Sequence, residues 1–165
     1  MKLTELFLAE LEEEAALTRK ALERVPEGRY DWKPHEKSMT LGYLAETVAR
    51  MPGWPAFIIN QDELDLAGPK QQPLRTAREL VQALDEGVAA AREALSNTSD
   101  EHLLKPWRLL VAGRVVSEEP RYHALRHGVF NHLAHHRGQL TVYLRLNEAA
   151  VPSIYGPSAD ENKFA

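Results

Sequence analysis

The amino-acid sequence predicts a single all-α domain over residues 1–165, a four-helix bundle with a short extended hairpin before the last helix. Three observations support this prediction. Four long segments place apolar residues three and four positions apart, which is the spacing of one helix face. Proline and glycine separate these segments. A chain of 165 residues is the size of one domain and can bury a core without disulfides.

The composition excludes several classes of function. The chain has no cysteine, so it can form no disulfide, thiolate metal site or cysteine nucleophile of its own. Its formal net charge is -4 and it has no basic run, so we expect no nucleic-acid binding. No apolar stretch approaches the roughly 18 residues of a membrane span, and the N-terminal segment is acidic and unlike a signal peptide. We therefore expect a cytoplasmic protein that does not bind membranes.

The first helix is predicted from about Thr4 to Arg24. Thr4 is a plausible N-cap, and Pro26 and Gly28 end the helix because neither residue continues it well. The acidic run Glu12–Glu14 is predicted to lie on the solvated face.

The second helix is predicted to begin between residues 38 and 40 and to reach about Met51. Pro52-Gly53 interrupts it there. A short helical piece restarts at Trp54 and is predicted to end by Gly68-Pro69.

The third helix opens with Thr76-Ala77-Arg78-Glu79, the pattern of a capping box in which threonine and glutamate satisfy each other's backbone N–H groups. Its inner apolar stripe runs from Leu80 to Leu95, and the polar sequence at 96–99 stops it.

An extended hairpin over residues 105–119, turning at Ala112-Gly113, is predicted next. The fourth helix follows Pro120 and runs to about Asn147. The segment 151–157 cannot continue it, because its two prolines lack the backbone N–H that a helix needs.

Five of the seven histidines fall in the fourth helix, at positions 123, 127, 132, 135 and 136. At about 100° per residue, His132 and His136 lie roughly 40° apart and share one face, predicted to be the core side together with Gln139. His123 and His127 are predicted on the solvent side. Arg137 and Arg145 are predicted on the outer part of the helix, where they form salt bridges with the acidic first helix.

Two imidazoles one helical turn apart can bring two nitrogens to a shared point about 2.0–2.1 Å from a divalent ion. Gln139 either orients one of the rings or forms a hydrogen bond at the surface or at an interface. The residues leave an alternative open, in which His132 and His136 are buried histidines that only pack and form hydrogen bonds. A zincin-type base is excluded, because Leu133 stands where that motif has glutamate.

Three tryptophans accompany proline and glycine loops, at positions 32, 54 and 107. We interpret them as sealing the ends of the core, and the alternative is that they line a substrate cavity. No catalytic residue is identified.

The stretch Asn131–Leu140, followed by Tyr143-Leu144-Arg145, resembles the signature helix of the DinB-like family of bacterial four-helix-bundle metalloenzymes. The segment 37–54 resembles the second helix of that family, and the closing stretch 151–161 resembles its C-terminal segment. The resemblance implies a homodimeric bundle whose core holds nickel or zinc. It further implies three histidine ligands, one from the second helix and two from the last, with the remaining positions open to water or substrate.

His132 and His136 match the last-helix pair of this family, but Thr47 stands where the second-helix histidine is expected. A threonine hydroxyl is a poor ligand for a transition ion, although helical spacing predicts that Thr47 faces inward. Glu46 is a possible substitute, about 100° further round the helix. Asp160, Glu161 or a carboxylate of the first helix are further candidates.

Two functional hypotheses follow. Characterised members of the family include transferases that use low-molecular-weight thiols, so the first hypothesis is a metal-dependent, thiol-using transferase of unknown substrate, with His132 and His136 as ligands. The second is a non-catalytic bundle with a degenerate metal site, which acts as a structural or binding homodimer. Thr47 favours the second hypothesis.

Overall fold

The computed structural model describes residues 2–68 and 72–162. Four longer helices form the body of the fold: α1 (Leu3–Leu22), α2 (Leu41–Arg50), α4 (Ala77–Ser96) and α7 (His132–Leu146). Three short helices accompany them: α3 (Trp54–Asn60), α5 (Asp100–Leu103) and α6 (Arg121–Ala124). A 3-10 turn over Met51–Gly53 joins α2 to α3, and a π-helical segment over Leu125–Asn131 joins α6 to α7.

A small three-stranded sheet corrects the all-α prediction. The hairpin of β2 (Pro106–Val111) and β3 (Arg114–Pro120) was predicted, and the strand β1 (Glu63–Asp65), which pairs parallel with β2, was not. α3 ends at Asn60, which agrees with the prediction of a short helical piece that ends by Gly68-Pro69, and Pro69 itself lies outside the described residues. A strand of three residues has no recognisable local pattern, because its pairing partner lies more than 40 residues away along the chain.

The hairpin turns where the sequence predicted. Ala112 and Gly113 both have positive φ, 51° and 76°, as a tight two-residue hairpin turn requires. The carboxylate of Asp65 accepts hydrogen bonds from both backbone N–H groups, at 3.0 and 2.7 Å. A hydrogen bond from the N–H of Ala67 is the main cause of the lowered pKa of Asp65, and the bonds from Gly113 and Ala112 add to it. The two bonds from the turn also fix β1 to the hairpin.

Local capping signals place two of the helix starts. The Thr40 hydroxyl accepts the N–H of Tyr43 at the start of α2, and the capping box of Thr76 and Glu79 opens α4 as predicted. The polar residues 97–99 follow the end of α4, as predicted.

The start of α1 differs from the prediction. Thr4 lies inside the helix, and Lys2 precedes the first helical residue. The carboxylate of Asp100, at the start of α5, accepts the N–H groups of Leu3 and Thr4 at 3.0 and 3.1 Å. A side chain almost 100 residues away thus does what the sequence assigned to a local threonine.

The core lies between α1, α2, α4 and α7, which pack on one another. Fully buried leucines come from all four helices, among them Leu11, Leu22, Leu44, Leu80, Leu84, Leu133, Leu140 and Leu144. Each such side chain contributes about 1.5–3 kcal/mol of burial free energy. None of the helices in the described ranges combines the length with the apolar composition that a membrane crossing demands.

A buried ion pair corrects two surface assignments. Arg137 is 1% exposed and Glu14 8% exposed, although the sequence placed the first on the outer part of its helix and the second in a solvated run. The guanidinium donates to the Glu14 carboxylate at 2.6 Å and to the Thr18 hydroxyl at 2.9 Å. The first helix does supply the predicted partner, but the pair sits inside the bundle.

Candidate metal centre

His132 and His136 lie side by side on α7. Their ring centroids are 4.6 Å apart and their planes are inclined by 42°. His136 is buried and His132 is half-buried. The structure thus brings the two imidazoles together, one turn apart.

Gln139 orients the ring of His136. The Nδ1 of His136 and the Oε1 of Gln139 are 2.7 Å apart. Because an amide oxygen only accepts hydrogen bonds, Nδ1 carries the proton and Nε2 presents a lone pair in the neutral ring. Gln139 is itself exposed, so it reaches the ring from the surface instead of from the core side.

The pKa of His132 is lowered, chiefly because its ring is partly buried and next because His136 and then His135 lie close to it. A hydrogen bond to the Gly128 carbonyl acts in the opposite direction. The ring of Trp54 meets the imidazole edge-on, with centroids 6.0 Å apart. His132 is therefore neutral at pH 7, the form in which imidazole binds metals.

The second-helix position does not supply a third donor of comparable strength. Thr47 is half-buried, and its hydroxyl donates to the Tyr43 carbonyl at 2.8 Å. The Glu46 carboxylate accepts from Arg50 at 2.9 Å and lines a different cavity, next to Tyr30.

The other two carboxylates that the sequence left as candidate metal ligands form ion pairs with arginines instead. Asp160 pairs with Arg145 and accepts the Val151 N–H at 2.8 Å. Glu161 pairs with Arg24. These contacts hold the C-terminal segment against the bundle.

The donor set fits weak chelation but not a tightly held transition ion. Two imidazole rings suit nickel or zinc. Within residues 2–68 and 72–162, however, no three histidine, aspartate or glutamate side chains are placed to share one ion. Zinc sites in proteins normally use at least three protein ligands.

A second pair of rings, His123 and His127, lies on the outer side as predicted, with centroids 4.0 Å apart. His127 is exposed, and His123 contacts the Glu119 carboxylate.

A cavity of about 220 Å³ lies beside His132, between the sheet and the helices. Its walls are mostly apolar: Trp54, Ile58, Leu64, Leu66, Trp107, Leu109, Ser117, Glu119, Ala124, Gly128 and His132. Two of the three tryptophans thus line a cavity, the alternative that the sequence left open, while Trp32 packs edge-on against Tyr143. The one sequence signal for this wall is the alternation of Trp107 and Leu109 along β2, which places both on one face of the hairpin.

Comparison with known proteins extends over nearly the whole chain. The chain is 28% identical over 158 residues to the uncharacterized protein YrdA of Bacillus subtilis, covering 94% of this chain and 89% of that protein. The fold is similar to that of a DinB-like protein from Bacillus cereus, with a TM-score of 0.68, 23% identity and coverage of 92% of this chain and 97% of that one.

A second DinB-like structure, YjoA from Bacillus subtilis, superposes with a TM-score of 0.64 at 19% identity, covering 88% of this chain and 94% of that one. The sequence profile of the DinB family matches residues 1–163. With the bundle, the histidine pair of α7 and this match in agreement, the chain belongs to the DinB family.

Proposed function

We propose that this DinB-family protein acts as a binding protein whose metal centre is degenerate. The observation that carries the proposal is the donor set. His132 and His136 lie side by side, but no third histidine, aspartate or glutamate of the described residues is placed to share an ion with them, and the Thr47 hydroxyl already donates to a backbone carbonyl. The half-buried cavity beside His132 supports a binding role, because most small-molecule sites are apolar cavities with a few polar groups.

A metal-dependent transferase that uses a low-molecular-weight thiol is the second candidate. The hydrogen bond between Gln139 and His136 favours it, because metal-binding histidines usually give their other ring N–H to such a partner. In this case the ion, nickel or zinc, would supply Lewis acidity. A thiol or water from solution would have to complete its ligands.

Zinc and nickel titration of tag-free protein by calorimetry separates the two candidates. We expect weak binding by the natural protein, and binding tightened more than about tenfold in Thr47→His, which restores the third imidazole implied by the family resemblance. Gln82→His, on the exposed face of α4, is the matched control and should leave affinity unchanged.

Near-stoichiometric zinc or nickel in the purified natural protein, lost in His132→Ala, would overturn the degenerate centre and support the transferase. An affinity equal in Thr47→His and the natural protein would contradict the assignment of Thr47 to the third-ligand position.

A further inference from the structure

We propose that the cavity beside His132 binds a small, neutral aromatic molecule, which is held by burial between apolar walls and not by ionic contacts. This inference rests on the binding role proposed above and names the class of ligand. It depends on the size and polarity of the cavity, not on any metal ion, so the two proposals fail separately.

The apolar walls of the cavity are the first argument. They combine side chains of α3, of β2 and of β1 with the residue that follows it: Trp54, Ile58, Leu64, Leu66, Trp107 and Leu109. The pairing of β1 and β2 fixes the sheet side of the cavity. A ligand in this space removes apolar surface of several elements from water at once, which is the main source of affinity in such sites.

Small residues on the helical side leave the space open, which is the second argument. The lining contains Ala124 at the end of α6 and, four residues later, Gly128 in the π-helical segment. A Cβ added at Gly128 would meet no atom within 4 Å, so a side chain there would enter unoccupied space. Single π-helical turns next to α-helices occur frequently at functional sites.

Water has few partners in this cavity, which is the third argument. Three of the lining side chains are polar or charged: Ser117, Glu119 and His132. Glu119 already contacts His123, and the ring of His132 is hydrogen-bonded to the Gly128 carbonyl. A buried water typically forms about three hydrogen bonds. An apolar ligand therefore fills this volume more favourably than water does.

The charge of the lining favours a neutral ligand. Apart from the neutral His132, Glu119 is the only titratable side chain in the lining, and its carboxylate repels an anion. A cation would have to compete with His123 for that carboxylate. Transfer of an unpaired charge from water to apolar surroundings is costly, so a neutral molecule binds best.

The volume of about 220 Å³ sets the size of the ligand. It exceeds the roughly 150 Å³ of an engineered apolar cavity that binds benzene, and it is smaller than the roughly 300–1,000 Å³ of sites for drug-sized ligands. A benzene ring with one short substituent therefore fits. The two indoles in the walls, Trp54 and Trp107, favour an aromatic ligand, because aromatic pairs gain more than their buried area alone provides.

Three molecules of nearly the same shape test the preference for a neutral ligand. Acetophenone is neutral, benzoate is anionic and benzamidinium is cationic. Titration of 15N-labelled protein, with a chelator present to remove metal ions, follows the assigned backbone amide signals of residues 64–66 and 128. We expect acetophenone to shift these signals and to bind at least about tenfold more tightly than either charged probe.

A substitution at the mouth of the cavity tests the location. Leu66 lines the cavity although it is 59% exposed, so a bound ligand would cover it. Leu66→Ala should weaken acetophenone binding about fivefold, because the variant lacks apolar surface that the ligand would bury. Leu104→Ala is the matched control, because Leu104 is 58% exposed but lies outside the lining, and it should bind acetophenone like the natural protein. Both variants change exposed side chains, so both should fold.

Cavity filling provides a second variant. Gly128→Leu should weaken acetophenone binding more than about tenfold while the cooperative thermal transition is retained. Gly138→Leu is its matched control, because an added Cβ at Gly138 also meets no atom within 4 Å, but this glycine lies on the exposed face of α7 outside the cavity lining. It should bind acetophenone like the natural protein.

Four outcomes would overturn the inference. They are the absence of acetophenone binding up to millimolar concentration, binding of either charged probe as tightly as acetophenone, equal affinities of Leu66→Ala and Leu104→Ala, and retained binding in a folded Gly128→Leu. A site that prefers benzamidinium would overturn the neutral ligand and leave the binding role intact. A tightly held metal ion would overturn the degenerate centre and leave the result with acetophenone unaffected.

Discussion

At the scale of single residues, the buried pair of Arg137 and Glu14 is the least expected feature of this bundle. Both members of the pair have a further hydrogen-bond partner in Tyr155. Its hydroxyl donates to the Glu14 carboxylate and accepts from Arg137 at 2.6 Å. The guanidinium lies 5.2 Å from the centroid of the Tyr155 ring. One cluster therefore joins α1, α7 and the C-terminal segment.

Glu14→Ala is expected to lower the free energy of unfolding by about 3–5 kcal/mol, because it leaves the Arg137 charge buried without a partner. Glu12→Ala is the matched control two residues away. Its ion pair with Arg92 has both side chains about half exposed, so the expected loss is about 0–1 kcal/mol. Urea denaturation measures the loss of unfolding free energy in each variant. Equal losses would show that the buried ion pair stabilises the protein no more than the exposed one.

Asp100 makes the start of α1 sensitive to acid. Hydrogen bonds from the N–H of Leu3, and further from that of Thr4, lower the pKa of this carboxyl below its ordinary value of 3.8. Because the folded-state pKa is the lower one, the stabilisation is complete above the ordinary value and is lost as the pH falls through the folded-state value.

We therefore expect Asp100→Asn to have a lower Tm than the natural protein at every pH between 5 and 8, by a constant difference. Below about pH 4 the difference should shrink, since the natural carboxyl then becomes protonated. Thermal unfolding followed by circular dichroism measures this difference in Tm. A difference that grows on acidification would contradict this role.

At the scale of elements, the π-helical segment explains a wrong prediction for the fourth helix. A spacing of about 100° per residue did not identify the buried face of the residues after 131. A π turn takes more residues than an α turn, so positions beyond it are rotated by about one residue. The buried stripe of α7 consequently runs through Leu133, Arg137, Leu140 and Leu144, and Leu146, predicted to face the core, is 52% exposed. The histidines lie at the edge of this stripe, where His132 meets the cavity.

Two glycines let the 3-10 turn before α3 approach α4 closely. A Cβ built on Gly87 would lie 3.0 Å from the Cα of Gly53, a backbone atom that cannot move aside cheaply. Gly87→Ala should therefore lower the free energy of unfolding by about 1–3 kcal/mol. Gly138→Ala, in open space, should raise it by about 0.5–1 kcal/mol. Denaturant titration compares the two, and a stabilising Gly87→Ala would contradict the close approach.

At the scale of the whole molecule, the homodimer implied by the family resemblance stays a prediction. Val142 and Leu146 lie one turn apart on the outer face of α7 and are 56% and 52% exposed, which makes this face a candidate for self-association. The cytoplasmic location and the absence of nucleic-acid partners likewise stay predictions.

Sedimentation velocity at micromolar concentration is expected to show a dimer for the natural protein and a monomer for Val142→Lys. Val115→Lys makes the same change at a 51% exposed position of the hairpin and should stay dimeric. A natural protein that sediments only as monomer would contradict the prediction, and dissociation in both variants would place the interface elsewhere.

Much of this architecture follows from local chemistry in the sequence. The caps at Thr40 and Thr76, the hairpin turn at Ala112-Gly113 and the histidine pair of α7 each depend on residues within a few positions of one another. Such patterns act before any long-range contact forms, so spacing and residue type are enough to predict them.

Contacts between distant segments decided the rest. β1 exists because it pairs with a strand more than 40 residues away, and Arg137 is buried because Glu14 and Tyr155 meet it from the two ends of the chain. The cavity combines Trp107 of the sheet with His132 of α7, and the Thr47 hydroxyl is committed to a backbone carbonyl. Burial and hydrogen-bond partners depend on which surfaces pack together, and the periodicity of one segment carries no information about the surface that will cover it.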